Sequence, residues 1–248
     1  MAKEAEEKYD KIAGQYHRMR TEDNPEGWFY NELLEMPATL ELLGKVRDKK
    51  VLDLGCGTGI YSRILNEKGA EVKGVDISEK MLEIARKENP ELDFKKGSVS
   101  NIPFDEKFDV VVSPLVFDYV ENWDKALEEI RGSLKEEGIF VFSKCNPFVE
   151  IAKKMEIEGK KEKIIKNYFD EGKFYAEWKS PRKGDLDVRM PHYHKTYETI
   201  TKILIRNGFE IIDYKDARPI EKAKELFPED YEKYSEYPQF SVWKLKKK

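Results

Sequence analysis

The sequence predicts an α/β fold in which a mostly parallel sheet carries helices on both faces. Two observations lead to this prediction. Short apolar runs alternate with amphipathic segments, and glycine or proline ends many of these segments. The chain has 248 residues, a length that suits one domain with an inserted segment. A hydrophobic fraction of 40% excludes an intrinsically disordered chain.

In the first half of the chain, each predicted element follows from a local pattern. Apolar positions at helical spacing predict helices, and short apolar runs predict strands. Pro37 is expected to interrupt the second helix, and Ser78 is a suitable N-cap for the fourth. The predicted helices cover residues 5–20, 28–46, 60–68 and 78–88, and the predicted strands cover residues 50–54, 71–75 and 92–95.

The second half continues this alternation and then departs from it. Residues 108–112 and 138–142 are apolar strands on either side of a helix over 123–134. Residues 147–191 are highly charged, and we predict that they form a helical cap inserted after the fifth strand. A helix over 197–207 and strands over 209–214 and 240–245 complete the pattern. No internal repeat is present, so residues 1–248 are predicted to be a single domain.

Composition narrows the class of protein. Lys and Arg total 45 against 49 Asp and Glu, a balance that argues against a surface built to bind nucleic acid. No apolar run reaches the roughly 18 residues of a membrane span, and the charged N-terminal segment does not resemble a secretory signal. Cys56 and Cys145 cannot form a disulfide framework, so a cytoplasmic location is expected. The bias towards Lys and Glu is typical of heat-stable proteins.

The most informative segment is the glycine loop at residues 51–59, Val-Leu-Asp-Leu-Gly-Cys-Gly-Thr-Gly. A strand ends there and a helix begins, and the glycines let a ligand approach backbone amides. The dinucleotide fingerprint fails, because Ile60 stands where G-x-G-x-x-G requires its third glycine. The Gly-Lys-Ser/Thr of a P-loop is absent as well.

Asp76 ends the second predicted strand, about 20 residues after the glycine loop. A carboxylate at this position can accept hydrogen bonds from both hydroxyls of an adenosine ribose. The loop and Asp76 together therefore predict a site for an adenosine nucleoside that needs no pyrophosphate.

Residues 8–145 resemble the class I S-adenosylmethionine-dependent methyltransferases of the seven-stranded, small-molecule type. The glycine loop resembles the first motif of the family, and residues 72–77 resemble the second. Residues 97–104 and 108–120 resemble the third and fourth motifs. The resemblance implies a Rossmann-like sheet of order 3-2-1-4-5-7-6 with strand 7 antiparallel. It also implies S-adenosyl-L-methionine as cofactor and S-adenosyl-L-homocysteine as product.

The resemblance further implies a set of cofactor-binding residues, with N-terminal helices in residues 1–47 closing over the cofactor. Ser98 departs from the family, which usually has an acidic residue there, and Asp118 stands where many relatives have His. The implied cofactor-binding residues are Tyr16, Asp53, Gly55, Cys56, Gly57, Gly59, Asp76, Ile77, Met81, Ser98, Val99 and Leu115.

The expected reaction is in-line displacement of the methyl group by an N, O, S or C nucleophile of a small-molecule acceptor. A base is needed only when that nucleophile must lose a proton. The candidate bases are Asp118, Tyr119, His192 and His194, and we favour Asp118, Tyr119 and His194 as catalytic residues. His192 and His194 match no strong ligand template, so no metal is predicted. The aromatic residues predicted to form a lid are Tyr168, Phe169, Phe174, Tyr175 and Trp178.

Two alternative functions remain open on the sequence alone. The lysines of residues 147–191 are compatible with a tRNA or protein methyltransferase, although the acidic net charge makes nucleic acid an unfavoured partner. The departures at Ser98 and Asp118 are compatible with a non-catalytic scaffold that binds S-adenosylmethionine or adenosine. The sequence is compatible with both a monomer and a homodimer.

Overall fold

A seven-stranded sheet forms the centre of the computed structural model, which describes residues 2–21, 29–157, 160–179 and 187–248. The sheet order is β3-β2-β1-β4-β5-β11-β10, and β11 runs antiparallel to both of its neighbours. Because β10 and β11 are the sixth and seventh strands of this sheet, the predicted order 3-2-1-4-5-7-6 is confirmed. The strands are β1 (Lys50–Leu54), β2 (Glu71–Asp76), β3 (Asp93–Lys96), β4 (Phe108–Pro114), β5 (Leu134–Cys145), β10 (Phe209–Asp216) and β11 (Phe240–Lys247).

Helices cover both faces of the sheet, and local capping sets several of their ends. The Ser78 hydroxyl accepts a hydrogen bond from the Met81 amide at 3.1 Å, which confirms the predicted N-cap. Among the described residues, no helix is both long and apolar enough to cross a membrane. The helices are α1 (Ala2–Thr21), α2 (Met36–Leu43), α3 (Ile60–Glu67), α4 (Glu79–Glu88), α5 (Trp123–Ser133), α6 (Pro147–Glu150), α7 (Tyr197–Arg206), α8 (Glu221–Leu226) and α9 (Pro228–Ser235).

The predicted helix over residues 28–46 is two segments. A π-helical segment, Phe29–Glu35, leads into α2, and Pro37 lies in the first turn of α2. Proline is tolerated at that position because the amide it lacks would have no partner within the helix. Trp28, where the prediction began, lies outside the described residues.

The sheet buries apolar side chains on both faces. Along β1, Leu52 and Leu54 belong to one core together with α5 and α7, whereas Val51 belongs to a second core with α2. Alternate residues of a strand point to opposite faces, so a continuous apolar run is needed where both faces are covered. This arrangement confirms the α/β class.

The segment predicted as a helical cap, residues 147–191, is mostly β structure. Within the part of this segment that the structure describes, only the short α6 is helical. The hairpin of β6 (Lys153–Ile157) and β7 (Lys160–Ile164) follows it, and then the hairpin of β8 (Gly172–Lys179) and β9 (Asp187–His194). The helical prediction is therefore wrong. The segment forms strands because apolar positions in β8 recur every two residues, where Phe174, Ala176 and Trp178 alternate with polar residues. Residues 158–159 and 180–186 of this segment lie outside the described residues.

Candidate active site

A cavity of about 710 Å³ lies at the carboxyl edge of the parallel strands. Ligands bind at this edge in open α/β sheets, and the volume lies within the roughly 300–1,000 Å³ typical of small-molecule sites. Helix α1 and the β8–β9 hairpin also contribute lining residues. The residues that line it just after strands β1 to β4 are Gly55, Gly57, Ile77, Ser98, Val99, Leu115, Asp118 and Tyr119.

The glycine loop forms the part of the cavity that follows β1. The Gly55 amide donates to the Val75 carbonyl at 2.7 Å, and the Gly57 amide donates to a carboxylate oxygen of Asp76 at 2.8 Å. Gly55 and Gly57 have φ values of 83° and 55°, which disfavour other residues. A Cβ at Gly55 would overlap the Val116 side chain, whereas a Cβ at Gly57 would have no atom within 4 Å. The backbone at Gly57 is therefore open to a ligand.

Asp76 lines the cavity at the end of β2, and its carboxylate is held by backbone amides. One oxygen accepts from Gly57 and the other accepts from the Ser78 amide at 2.8 Å. Desolvation by burial raises the pKa of Asp76 to about 6, although the Ser78 and Gly57 amides act to lower it. Each carboxylate oxygen has a second lone pair, so both can still accept a ribose hydroxyl. The loop and this acid fit the nucleoside part of S-adenosylmethionine.

Helix α1 closes one side of the cavity. Asp10 accepts a hydrogen bond from the Ser78 hydroxyl at 2.6 Å, which ties α1 to the end of β2 beside Asp76. Tyr9, Tyr16 and Arg20 line the cavity from this helix. Sequence reasoning missed Tyr9 and Arg20 as site residues. The signal was available, because residues 9, 16 and 20 lie on one face of a helix.

Most of the predicted cofactor residues share this cavity, but three do not line it. Asp53 is buried behind the loop, where it accepts the Ser62 hydroxyl at 2.6 Å, and burial raises its pKa to about 7. Cys56 is buried against the α4 side of the sheet, and Gly59 caps α3. A cofactor contact by these three stays a prediction. The nine that line the cavity are Tyr16, Gly55, Gly57, Asp76, Ile77, Met81, Ser98, Val99 and Leu115.

A chain of buried charged groups runs along the side of the cavity formed by the end of β5. The Lys144 ammonium lies 3.2 Å from a carboxylate oxygen of Asp118 and 2.8 Å from one of Glu150. Glu150 in turn lies 2.5 Å from Nδ1 of His194. The charges alternate along this chain, so each buried ion has a partner of opposite sign.

His194 is not among the residues that line the cavity, and its catalytic role stays a prediction. Its Nδ1 bonds to Glu150 and its Nε2 faces the Tyr168 carbonyl at 2.8 Å. Burial lowers the pKa of His194, but the hydrogen bonds to Glu150 and Tyr168 outweigh it and raise the pKa overall. Both partners can accept, so these contacts favour the protonated ring, which donates from both nitrogens.

Tyr119 lies in an aromatic cluster that joins three parts of the chain. Its ring packs edge-on against Tyr9 at 5.6 Å and Trp178 at 6.5 Å, between ring centroids. Burial raises the pKa of Tyr119 well above its ordinary value, so the hydroxyl stays protonated and can donate a hydrogen bond. Of the five residues predicted to form a lid, Phe174 and Trp178 line the cavity. Tyr168, Phe169 and Tyr175 do not line it.

His192 lines the cavity next to this cluster. The residue is 4% exposed, and its two ring nitrogens have no hydrogen-bond partner within the described parts of the chain. Burial lowers its pKa, so the ring is neutral near pH 7.

One group of potential metal ligands lies at the same place. An oxygen of Asp118, the sulfur of Cys145 and a nitrogen of His192 lie within 4.8 Å of one another. However, the Lys144 ammonium already provides a cation beside Asp118. The absence of a metal stays a prediction.

Comparisons with known proteins agree with this site. A family model described as a methyltransferase domain matches residues 52–142. An uncharacterized protein of Haemophilus influenzae is 35% identical over 198 residues, covering 73% of this chain and 75% of that protein. A demethylmenaquinone methyltransferase of Thermotoga maritima is 38% identical over 111 residues, covering 44% of this chain and 48% of that protein.

A solved structure extends the likeness to most of the fold. The S-adenosylmethionine-dependent methyltransferase of Mesorhizobium loti superposes with a TM-score of 0.73 at 29% sequence identity, covering 85% of this chain and 96% of that one. The matched domain contains Gly55, Gly57 and Asp76, which line the cavity described above. This chain belongs to the class I S-adenosylmethionine-dependent methyltransferases.

Proposed function

We propose that this enzyme methylates a small-molecule acceptor that binds in the same cavity as the cofactor. The observation that carries the proposal is the continuity of the cavity. One part of its lining contains Gly57 and Asp76, and another contains Phe174, Trp178 and His192. One ligand-sized space therefore has a polar nucleoside end and an aromatic end.

The cofactor would be held by residues at the nucleoside end. Asp76 would accept the ribose hydroxyls, and the backbone of Gly55 and Gly57 would lie against the ligand. Arg20 lines the cavity and is held by Glu32 at 2.6 Å, so its remaining donors are available to a carboxylate. S-adenosylmethionine supplies a methyl group that its sulfonium makes electrophilic.

The protein's contribution is to orient the acceptor and exclude water. Orientation of two reactants lowers the entropic part of the barrier, and a dry site strengthens electrostatic interactions. We propose that α1 and the β8–β9 hairpin form the cap that provides both effects. Tyr9 of α1 and Trp178 of the hairpin are in edge-on contact, with centroids 6.2 Å apart, and both line the cavity.

The choice of a small molecule over a macromolecule has two supports. The Thermotoga relative is a demethylmenaquinone methyltransferase, and that name specifies a small-molecule acceptor. In addition, a lysine of the inserted segment forms an ion pair within the chain, because the Lys173 ammonium lies 2.7 Å from the Glu4 carboxylate. A cytoplasmic site of action is part of the proposal, supported by the free thiols Cys56 and Cys145.

Transfer of a labelled methyl group tests this function. Purified protein would be incubated with tritium-labelled S-adenosylmethionine and with separate fractions of a cell extract: small metabolites, total tRNA and protein. We expect incorporation into the metabolite fraction. Incorporation into tRNA or protein alone would overturn the proposed acceptor class, and no incorporation into any fraction would favour a non-catalytic scaffold.

A further inference from the structure

The four candidate bases differ in the contacts that their side chains make. Asp118 shares its charge with Lys144, Tyr119 holds its proton, and both ring nitrogens of His194 have acceptors. His192 differs from all of these, because it lines the cavity and its ring nitrogens have no hydrogen-bond partner in the described chain. Buried polar groups in native proteins are nearly always paired, so an unpaired imidazole at a ligand site indicates a partner supplied by the ligand.

His192 and Asp118 lie close to each other on the wall of the cavity. A ring nitrogen of His192 and an oxygen of Asp118 lie within 4.8 Å of each other. A carboxylate oxygen and an unprotonated ring nitrogen both accept hydrogen bonds, so a hydroxyl group with a single proton can donate to only one of them. Oδ1 of Asp118 is already paired with the Lys144 ammonium at 3.2 Å. The unpaired ring nitrogens of His192 are therefore the available partner for the proton of a hydroxyl group.

We propose that the acceptor carries a hydroxyl group that donates a hydrogen bond to a ring nitrogen of His192, and that His192 takes the hydroxyl proton during methyl transfer. This inference rests on the proposed function and deepens it by naming the reacting group. The body of the acceptor would be planar and largely apolar, because aromatic rings pack around His192. The ring centroids of Tyr119 and Phe174 lie 5.0 Å and 5.4 Å from that of His192.

The atoms and charges of the step balance. A lone pair of the hydroxyl oxygen forms the new O–CH₃ bond, and the S–CH₃ bond breaks with its electron pair remaining on sulfur. The hydroxyl proton moves to the unprotonated ring nitrogen of His192. The imidazolium so formed lies beside the Asp118 carboxylate, which stabilises it, and later releases the proton to water.

The charged and titratable groups around His192 come from three parts of the chain. Asp118 and Tyr119 follow β4, Lys144 and Cys145 end β5, and Glu150 ends α6. The two carboxylates favour a charged imidazole, whereas Lys144 and burial oppose it. The net result keeps His192 neutral, and therefore able to accept a proton, at the pH of the cytoplasm.

Nitrogen-15 NMR of the histidine rings tests the proposal without turnover. The chain has only three histidines, at 17, 192 and 194, so single variants assign every ring signal. With S-adenosylhomocysteine bound, phenol would be added as a hydroxyl probe and toluene as its matched control without a hydroxyl. We expect phenol to shift a ring nitrogen of His192 and toluene to leave it unchanged. An unmoved His192 signal at saturating phenol, or failure of phenol to bind, would overturn the proposal.

The kinetic arm compares His192→Gln with His17→Gln, a control on α1 outside the cavity lining. We expect His192→Gln to bind S-adenosylhomocysteine like the wild type by calorimetry, yet to transfer methyl to the metabolite fraction about 10²–10⁴-fold more slowly. Its residual rate should rise with pH as the acceptor ionises unaided. An undiminished rate overturns the inference alone, whereas failure of the wild type to bind S-adenosylhomocysteine overturns the proposed function.

Discussion

The Gly57 amide and the Asp76 carboxylate are joined by a hydrogen bond of 2.8 Å that connects the glycine loop to the end of β2. The bond fixes the acid against the one glycine of the loop whose Cβ position is open. Since the Ser78 amide holds the other carboxylate oxygen, the acid is oriented before any ligand binds. This preorganisation lowers the cost of binding a nucleoside.

Replacing Asp76 with Asn should weaken S-adenosylhomocysteine binding by at least about tenfold, because hydrogen bonds to a charged group are worth about 1.5–3 kcal/mol. The amide also cannot accept from both Gly57 and Ser78 with both of its terminal atoms. Isothermal titration calorimetry would measure the change. Asp105→Asn is the matched control, since it removes the same charge from an exposed loop. Equal affinities of the two variants would contradict the role of Asp76.

Cofactor binding should weaken as the pH falls through about 6. Only ionised Asp76 accepts both ribose hydroxyls, and its pKa in the free protein is about 6. The ionised fraction therefore drops from about nine-tenths near pH 7 to about one-tenth near pH 5, which predicts a dissociation constant about tenfold larger. Calorimetry across this range tests the effect. The Asp76→Asn variant should show a much flatter profile, and an identical slope in both proteins would assign the titration to another group.

Replacing Gly55 with Ala should destabilise the fold by about 1–3 kcal/mol. A residue with a Cβ is strained at a φ of 83°, and this Cβ would overlap Val116. The matched control is Gly132→Ala in α5, where a Cβ meets no atom within 4 Å and should add up to about 1 kcal/mol of stability. Urea unfolding would measure both. Stabilisation by Ala at both positions would refute the strained geometry of the loop.

Lys144→Met should be severely destabilising, by about 3–5 kcal/mol, because it leaves Asp118 and Glu150 buried without their shared cation. Lys202→Met removes a lysine from an exposed pair with Glu198 and should cost no more than about 0.5 kcal/mol. Thermal unfolding of the two variants provides the comparison. A Lys144 variant as stable as the Lys202 variant would show that the buried chain of charges does not support the fold.

The stability of the fold should decrease as the pH rises through the neutral range. The folded state raises the pKa of His194 above its ordinary value of 6.5, so folding binds that proton more tightly. The contribution is complete below about pH 6.5 and is lost as the pH rises through the folded-state value. Asp53, with its pKa raised to about 7, acts in the same direction. Urea titrations of wild type and His194→Gln test this, and a wild-type stability that increases with pH would contradict it.

The nucleoside end of the site was predictable because its signals are local in sequence. The strand, the glycines and the acid after the next strand each leave a short pattern, and parallel strands bring their ends to one edge. Gly55, Gly57 and Gly59 have positive φ values, a backbone conformation that favours glycine, and these glycines can be read directly from the sequence. Asp53, Cys56 and Gly59 share this pattern yet lie outside the cavity lining, because proximity in sequence does not determine which side of a loop a residue faces.

The acceptor end was less predictable because its contacts join distant parts of the chain. His192 and His194 lie two apart on β9 and so point to one side, but only packing against Glu150 and Tyr168 distinguishes them. The insertion was predicted as helical because the prediction relied on its mixed charges. It did not use the two-residue period of Phe174, Ala176 and Trp178, which indicates a strand. The pairing of Lys144 with Asp118 leaves no sequence signal at all.

Binding of S-adenosylhomocysteine to the wild-type protein tests the central claim most directly. Calorimetry should show saturable binding of one ligand per chain, and a crystal of the complex should place the ribose on Asp76 and the loop backbone at Gly57. No heat of binding, together with a soaked crystal whose cavity holds no ligand, would contradict the account.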